Sequence, residues 1–522
     1  MWATARTLFL LISILAVAGG SYGDALCGEK VLNIRLLGEP ETLDWNKAHT
    51  PYESYLLTSL MEGLVSLDLN LKVTPALAQS WTINQAGNVY LFHLRPGVKW
   101  SDGVPLKAQD FVFSWQRLLS SSLAAANAYF LFDIKGAEDF YQGRIHDFGK
   151  VGVKALNEST LQVVLTHPVA HWIQLLAYWP TFPMRADITR QFQDVSPHPI
   201  PWVTLGPYLM SEHTLESKFV MKRNPLYYGG PSHLDRIVGW IIRDDATALN
   251  LYETGTLDFL TDLSTLDLQR LQNRPDLKTF PYLKTGYLGF LTQTRPTSNV
   301  HVRRAIGMAI DKSQIGGLLL GGQIPATSLI PPGILGYSKN LGLKFDPTEA
   351  RRELKSSGVS PNEPIQLELT TLNGDKALLL TQYLQGELKK NLGIDLVIQP
   401  YDNKTFRAKL KANIYPGYLL SWSADYPDPD NFLSVFLSYS PNNHTNWRNE
   451  SFDREVIMAR QSLKLQARES SYFNLQKTLL QDEAPIVPLY YESILALVRP
   501  RVLNLELNPL NYLNLKKVTL VD

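Results

Sequence analysis

Ala108-Gln-Asp-Phe-Val-Phe-Ser-Trp-Gln-Arg117, with Phe92-His-Leu-Arg-Pro-Gly-Val-Lys-Trp-Ser-Asp-Gly103 just before it, carries the local grammar of the whole chain. Val89 to Leu94 alternates apolar and polar positions in part, which predicts a strand. Asp102-Gly103 marks a turn. Asp110 is expected to open a helix. Phe111, Trp115, Leu118 and Leu119 recur at helical spacing behind it, and the helix dipole favours an acidic residue at that end. The same alternation returns late in the chain. Lys376 to Asn391 reads as a helix, Gly393 as its stop and Gly393 to Ile398 as the next strand, which together make an α/β unit.

Working outward, residues 31–37 read as a buried opening strand and Tyr52 to Leu60 as a helix stopping near Gly63. Pro75 to Trp81 reads as a short element, and strands are expected at Thr160–Leu165, Lys218–Arg223, Ile237–Ile242 and Tyr287–Thr292. Helices are expected at Thr247–Glu253, His301–Ile310 and Glu349–Ser356, with one or two between Phe452 and Leu480. Two last strands are expected at Ile486–Tyr490 and Ile494–Val498. The Pro-rich stretch from Phe182 to Pro201 suits a domain crossing. No internal repeat or low-complexity tract interrupts the pattern.

At 522 residues the chain is too long for one core and predicts two or three domains. Lys+Arg of 50 against Asp+Glu of 49 gives +1, which argues against a nucleic-acid partner, since that would leave a basic surplus. Aromatic residues reach 11%, enough to furnish both large cores and an aromatic-lined pocket.

Residues 1–23 read as a signal peptide: Arg6, then the apolar run Thr7 to Ala18, then small residues. The run is too short to span a bilayer comfortably. Cleavage after Ala18, Gly23 or Ala25 fits equally. Cys27 is the only cysteine, so no internal disulfide forms. Leu26 stands before it, where a lipoprotein signal carries a small residue, so a free thiol is expected rather than a lipid anchor. An exported protein without an anchor implies a periplasm.

Enzyme signatures are missing. No Gly-x-Ser-x-Gly elbow, phosphate-binding loop or Gly-x-Gly-x-x-Gly loop occurs. His167 and His171 have i, i+4 spacing, but Pro168 lies between them and no Glu follows the first, so no metal is expected. Asp425-Tyr-Pro-Asp-Pro-Asp430 has three carboxylates without the Gly turn or distal Glu of a calcium loop, and reads as a turn. A hydrolase working through paired carboxylates is the competing class, because spacing does not show which acids meet.

The Ala108–Arg117 region resembles the signature of the peptide-binding, family 5 solute-binding proteins of ABC importers. Ser421-Trp-Ser-Ala-Asp-Tyr426 resembles the segment with which oligopeptide binders grip the ligand's amino end. Further matching pieces follow in the family's order: Leu37-Gly-Glu-Pro-Glu-Thr-Leu-Asp44, Leu60-Met-Glu-Gly-Leu64, Gly206-Pro-Tyr208, Asn224-Pro-Leu-Tyr-Tyr228, Val302-Arg-Arg-Ala305 and Pro485-Ile-Val-Pro-Leu-Tyr-Tyr491.

This resemblance implies an α/β chain with the type II periplasmic-binding-protein fold. Two lobes close on a ligand, and an additional third domain enlarges the first. Residues 24–61, 190–285 and 491–522 would form lobe I, 62–189 the additional domain and 286–490 lobe II. It implies an oligopeptide ligand, an inner-membrane ABC permease as partner, a monomer, no cofactor and no catalysis. Asp425 would hold the ligand's ammonium, with Trp422, Ser423, Tyr287 and Asn250 around the cleft. The basic residues that meet a peptide's carboxyl end in oligopeptide binders fall here on Leu419 and Ala377, and a cleft tyrosine falls on Asn127. Lys376, Arg407, Lys409 and Lys411 are possible substitutes for the missing charge. A non-peptide solute (a nickel chelate, haem, a cell-wall peptide or an oligosaccharide) is the alternative within the family.

Overall fold

The structure, a computed structural model, describes residues 28–189, 203–359 and 365–521. The expected signal peptide, Cys27 and the last part of the Pro-rich crossing lie outside them. The chain enters through β1 (Val31–Leu36), which buries Leu32, Ile34 and Leu36. After the helix Pro51–Leu60 comes a hairpin of β2 (Val65–Leu67) and β3 (Val73–Pro75). Then β4 (Ala78–Ile83), β5 (Val89–Leu94), β6 (Val153–Asn157) and β7 (Thr160–Val164) build a separate antiparallel sheet in the order β4-β5-β7-β6. The short element expected at Pro75 to Trp81 is largely β4.

The remaining strands are β8 (Tyr208–Thr214), β9 (Lys218–Arg223), β10 (Arg236–Ile241), β11 (Phe259–Leu260), β12 (Leu277–Phe290), β13 (Ile324–Pro325), β14 (Gln366–Leu372), β15 (Asp395–Tyr401), β16 (Gly417–Ser423) and β17 (Ile486–Val498). With β1 they form an 11-stranded mixed sheet of order β15-β14-β16-β12-β17-β11-β1-β10-β9-β8, with β13 paired to β17. We term the half from β11 to β8 the first lobe and the half from β15 to β16 the second. Only β12 and β17 run through both.

The helix of the signature stretch spans Ala108–Leu118, two residues earlier than expected. Asp110 sits in its first turn rather than before it. Its carboxylate accepts the Lys107 amide at 3.0 Å and the Trp100 indole at 3.2 Å, so the acid closes the helix start from inside. Ser114 and Trp115 bond the carbonyls of Phe182 and Thr181 at 2.6 and 2.8 Å. Arg117 bonds buried Asp44 through both terminal nitrogens. The signature therefore fastens the four-stranded sheet's domain to the link after β1. The two also share one hydrophobic core, from Leu32 and Ile34 to Phe92, Phe111 and Trp115.

Two expectations need correcting. β12 starts ten residues before Tyr287, at Leu277, and β17 is one strand rather than two. Pro281, Gly286 and Gly289 weaken the intrinsic strand signal of β12, but its pairing on both sides overrides propensity. The two glycines have a positive reason: a side chain at Gly286 would meet the Tyr490 ring, and one at Gly289 the Tyr418 ring. In β17, Pro488 and Glu492 break the pattern, yet the residues around them are buried against β12.

The crossing point is irregular. Pro281 pairs with Ser493 and Thr285 with Tyr491, so Tyr282, Leu283 and Lys284 stand opposite Glu492 alone. Such a bulge bends and twists a ladder locally. Beyond it, β12 alternates between two cores of the second lobe. Tyr287 faces the layer carrying helices Glu450–Gln461 and Leu465–Lys477, while Leu288 faces that of Val300–Met308 and Asp375–Leu392. Each leucine so buried contributes roughly 1.5–3 kcal/mol.

Candidate functional site

Asp425 follows the end of β16 and is held by its backbone. The Ala424 amide bonds the Leu283 carbonyl at 2.8 Å, and the Asp425 amide bonds Oδ1 of Asn431 at 3.2 Å. Asn431 also accepts the Trp422 indole N–H at 2.9 Å, so one buried amide side chain sets both residues. Asp425 itself is half-buried. Oδ2 accepts the Tyr129 hydroxyl at 3.2 Å. Among the described residues no Lys, Arg or His nitrogen lies within ion-pair distance of it. Limited hydration raises its pKa above the usual carboxylate range, and the bonds from Tyr129 and Asn431 offset only part of that.

The other two carboxylates of the 425–430 stretch are already committed. Asp428 takes Arg468 at 2.7 Å to each oxygen, and Asp430 takes Arg460 at 3.0 Å to each. Tyr426 donates to Asp430 at 2.7 Å and stacks on His171 with centroids 4.6 Å apart. Asp425 is the acid of the stretch left to meet something else.

Aromatic rings surround it. Tyr129 stacks on Phe130 at 4.4 Å, Phe130 lies 4.6 Å from Tyr178, and Tyr178 stacks on Trp179 at 4.1 Å. Tyr512 closes the group 6.0 Å from Tyr178. Burial raises the hydroxyl pKa values of Tyr129 and Tyr178, and the Asp425 charge raises them further. These hydroxyls therefore stay neutral; that of Tyr129 donates to the carboxylate and that of Tyr178 pairs with Tyr512. A carboxylate inside rings and hydroxyls suits an ammonium, which gains both a charge-assisted hydrogen bond and ring-face attraction.

The five expected site residues separate here. Trp422 is half-buried beside Asp425, with its N–H used internally. Ser423 accepts the Tyr282 hydroxyl at 3.2 Å. Tyr287 sits in the second-lobe core, 1% exposed, with edge contacts to Tyr418 and Phe436. The strand's alternation turns its ring into that core, and the residue also lines a cavity beside Lys284 and Leu419. Asn250 is exposed on the helix Asp245–Glu253 of the first lobe, and its carbonyl accepts the Thr254 amide. No contact joins it to Asp425 among the described residues.

Tyr129 went unread. The resemblance puts the cleft tyrosine at Asn127, which instead donates to the Ala48 carbonyl at 3.1 Å. The signal was a tyrosine two places further on, in Asn127-Ala-Tyr129.

Two cavities meet at the bulge. One, of about 390 Å³, lies between lobes: Arg35 and Thr261 come from the first, Leu319 and Gln323 from the second. The other, of about 320 Å³, is lined by Leu419, Ala377, Leu380 and Tyr490. Lys284, Lys376 and Glu492 line both. Of the four candidate cations, Lys376 alone is there. Arg407 bonds Asn403, Lys409 lies over Tyr401 at 4.5 Å, and Lys411 lines a separate small cavity.

Comparison with known proteins agrees with this geometry. Residues 72–444 match the family model described as bacterial extracellular solute-binding proteins, family 5. The chain is 29% identical to the probable deoxycholate-binding periplasmic protein of Escherichia coli, over 98% of each chain. It is 30% identical to the periplasmic oligopeptide-binding protein of the same organism, over 94% of this chain and 93% of the relative. The unliganded open form of a periplasmic murein tripeptide binding protein superposes with a TM-score of 0.81 at 26% identity, covering 95% of this chain and 98% of that one.

Proposed function

This chain belongs to the bacterial extracellular solute-binding proteins, family 5, and from that premise we propose that it is a periplasmic receptor for peptides. It captures a peptide between its lobes and delivers it to an inner-membrane ABC permease. The reading takes 24–61, 190–285 and 491–522 as lobe I, 62–189 as the additional domain and 286–490 as lobe II. A monomer carries the function, which is capture and release without a covalent step. Differential affinity of the open and closed arrangements for the ligand supplies the driving force.

The observation that carries this reading is Asp425: a half-buried carboxylate with no cation of its own among the described residues, ringed by Tyr129, Tyr178 and Tyr512. An unpaired buried charge is costly, so its retention fits a partner that arrives with the ligand. Trp422 and Ser423 flank it.

Native mass spectrometry of the protein purified from its own periplasm, with sequencing of released ligands, tests the proposal. Peptides with free amino ends are expected. A single non-peptide mass would overturn the peptide assignment.

One observation favours a second reading. The cavity lined by Leu419, Ala377 and Leu380 on one hand and by Lys284 and Lys376 on the other combines apolar and cationic groups, which suits an amphipathic carboxylate such as the one named for the Escherichia coli deoxycholate relative. Binding of deoxycholate with no binding of any peptide would establish it.

A further inference from the structure

The strand crossing contains a cation without a carboxylate partner among the described residues. Lys284 lies in the bulge of β12, half-buried, and lines both cavities at the lobe junction. Its amine sits 5.6 Å from the Tyr282 ring centroid, and no carboxylate comes within ion-pair distance among the described residues. Glu492, the nearby acid, is occupied. It takes Lys376 at 2.6 and 2.9 Å and Gln323 at 3.0 Å. Burial works to raise the Glu492 pKa, but Lys376 and then Lys284 outweigh it and hold it low. The junction thus sets two ammonium groups beside one buried carboxylate, and Lys376 holds that carboxylate while Lys284 lines both cavities. Asp262 is the other acid lining the larger cavity; it is exposed, and its Oδ2 accepts the Thr261 hydroxyl, while exposed Asp375 is the other acid lining the smaller one.

We propose that Lys284 forms an anion subsite that meets a carboxylate of the ligand, with Lys376 acting as a positioning residue that keeps Glu492 from neutralising it. The proposal rests on the receptor reading above and goes further, because it fixes ligand chemistry and size. Leu419 and Ala377 supply no charge, so the bulge takes over their expected task from a different strand.

The spacing sets a length. Lys284 stands opposite Ser423 in the β12–β16 ladder, so their Cα atoms are about 5 Å apart. Asp425 lies two residues on, past the end of β16 and in a bend, so at most ~7 Å further. Allowing for the lysine's reach, ammonium and carboxylate subsites are separated by roughly two to four extended residues at about 3.4 Å each. Short peptides with both ends free fit this separation.

The test is calorimetric titration of the full mature chain with trialanine, its carboxyl amide, its N-acetyl form and deoxycholate. Wild type and Lys284→Met are compared. The wild type should prefer the free acid over the amide by roughly ten- to a hundredfold, the worth of one charge-assisted hydrogen bond. In Lys284→Met that preference should vanish while the N-acetyl penalty stays. Equal affinity of the wild type for acid and amide, with the N-acetyl penalty intact, overturns the anion subsite and leaves the peptide reading standing. Deoxycholate binding alone, weakened in Lys284→Met, overturns the peptide reading and keeps the subsite. No binding of any probe overturns both. Glu492→Gln supplies an independent variant: removing the negative charge should tighten free-acid binding several-fold, and an unchanged affinity counts against the proposal.

Discussion

Tyr129 of the four-stranded sheet's domain donates its hydroxyl to Oδ2 of Asp425 in the second lobe at 3.2 Å, a bond that links two parts of the chain 296 residues apart in sequence. It supplies one donor to a carboxylate that has no cation within ion-pair distance among the described residues. Burial of that carboxylate carries an electrostatic cost, which the ligand ammonium proposed above would relieve.

Asp425→Asn should remove discrimination between free and N-acetylated peptide, a loss of about 1.5–3 kcal/mol in binding by the free peptide. The unliganded protein should become more stable at neutral pH. The sign follows from the raised folded-state pKa. A carboxyl group that ionises less readily in the fold than in the unfolded chain opposes folding above its folded pKa. That penalty fades as pH falls toward the unfolded value of about 3.9. The stability gain of Asp425→Asn should thus shrink on acidification, and thermal melts from pH 7 to pH 4 measure it. A mutant no more stable than wild type at pH 7 removes the argument.

Arg468 and Asp428 form a buried pair, with side chains 8% and 4% exposed. Arg468→Met should destabilise by about 3–5 kcal/mol, because it strands Asp428 in the interior. Urea unfolding gives the value. Asp425 stands three residues away, so peptide affinity should fall as well.

Gly289→Ala places a methyl group against the Tyr418 ring inside β12. Tyr418 is fully buried, with edge contacts to Tyr287 and Tyr415, so it has little room to yield. A loss of about 1–3 kcal/mol is expected from overpacking. Gly358→Ala, at an open position with positive φ, gives a comparison in which strain alone acts.

Most of the fold could be read locally. Helices such as Asp375–Leu392 and strands such as β5 declare themselves by periodicity and by a Gly stop. β12 and β17 did not, because their continuity comes from pairing with each other, and Pro281, Pro488 and Glu492 obscure it. At the site, the Ser421–Tyr426 motif gave Asp425. It gave no hint that Asp428 and Asp430 are matched by arginines 40 and 30 residues away. Lys284 carried no signal at all. Its meaning depends on a bulge, and the bulge exists only between two strands distant in sequence.

Lys376→Met tests the other half of the strand crossing. The substitution removes the amine bonded to both Glu492 oxygens and leaves Gln323 as the remaining hydrogen-bond donor. Glu492 is 9% exposed and Lys376 41%, so solvent screens the pair from one side. The expected cost at pH 7 is about 1–2 kcal/mol, below that of a fully buried pair. The pH dependence runs opposite to that of Asp425. The Glu492 pKa is lowered in the fold, so the stability it contributes is present above its unfolded value of about 4.3 and is lost as pH falls through the folded value. The gap between wild type and Lys376→Met should close on acidification below pH 4.3. Lys284 should move toward the freed carboxylate, so the mutant should also lose preference for a free ligand carboxylate over its amide. A mutant that keeps that preference, with stability unchanged at pH 7, would show that Lys376 does not hold Glu492 in place.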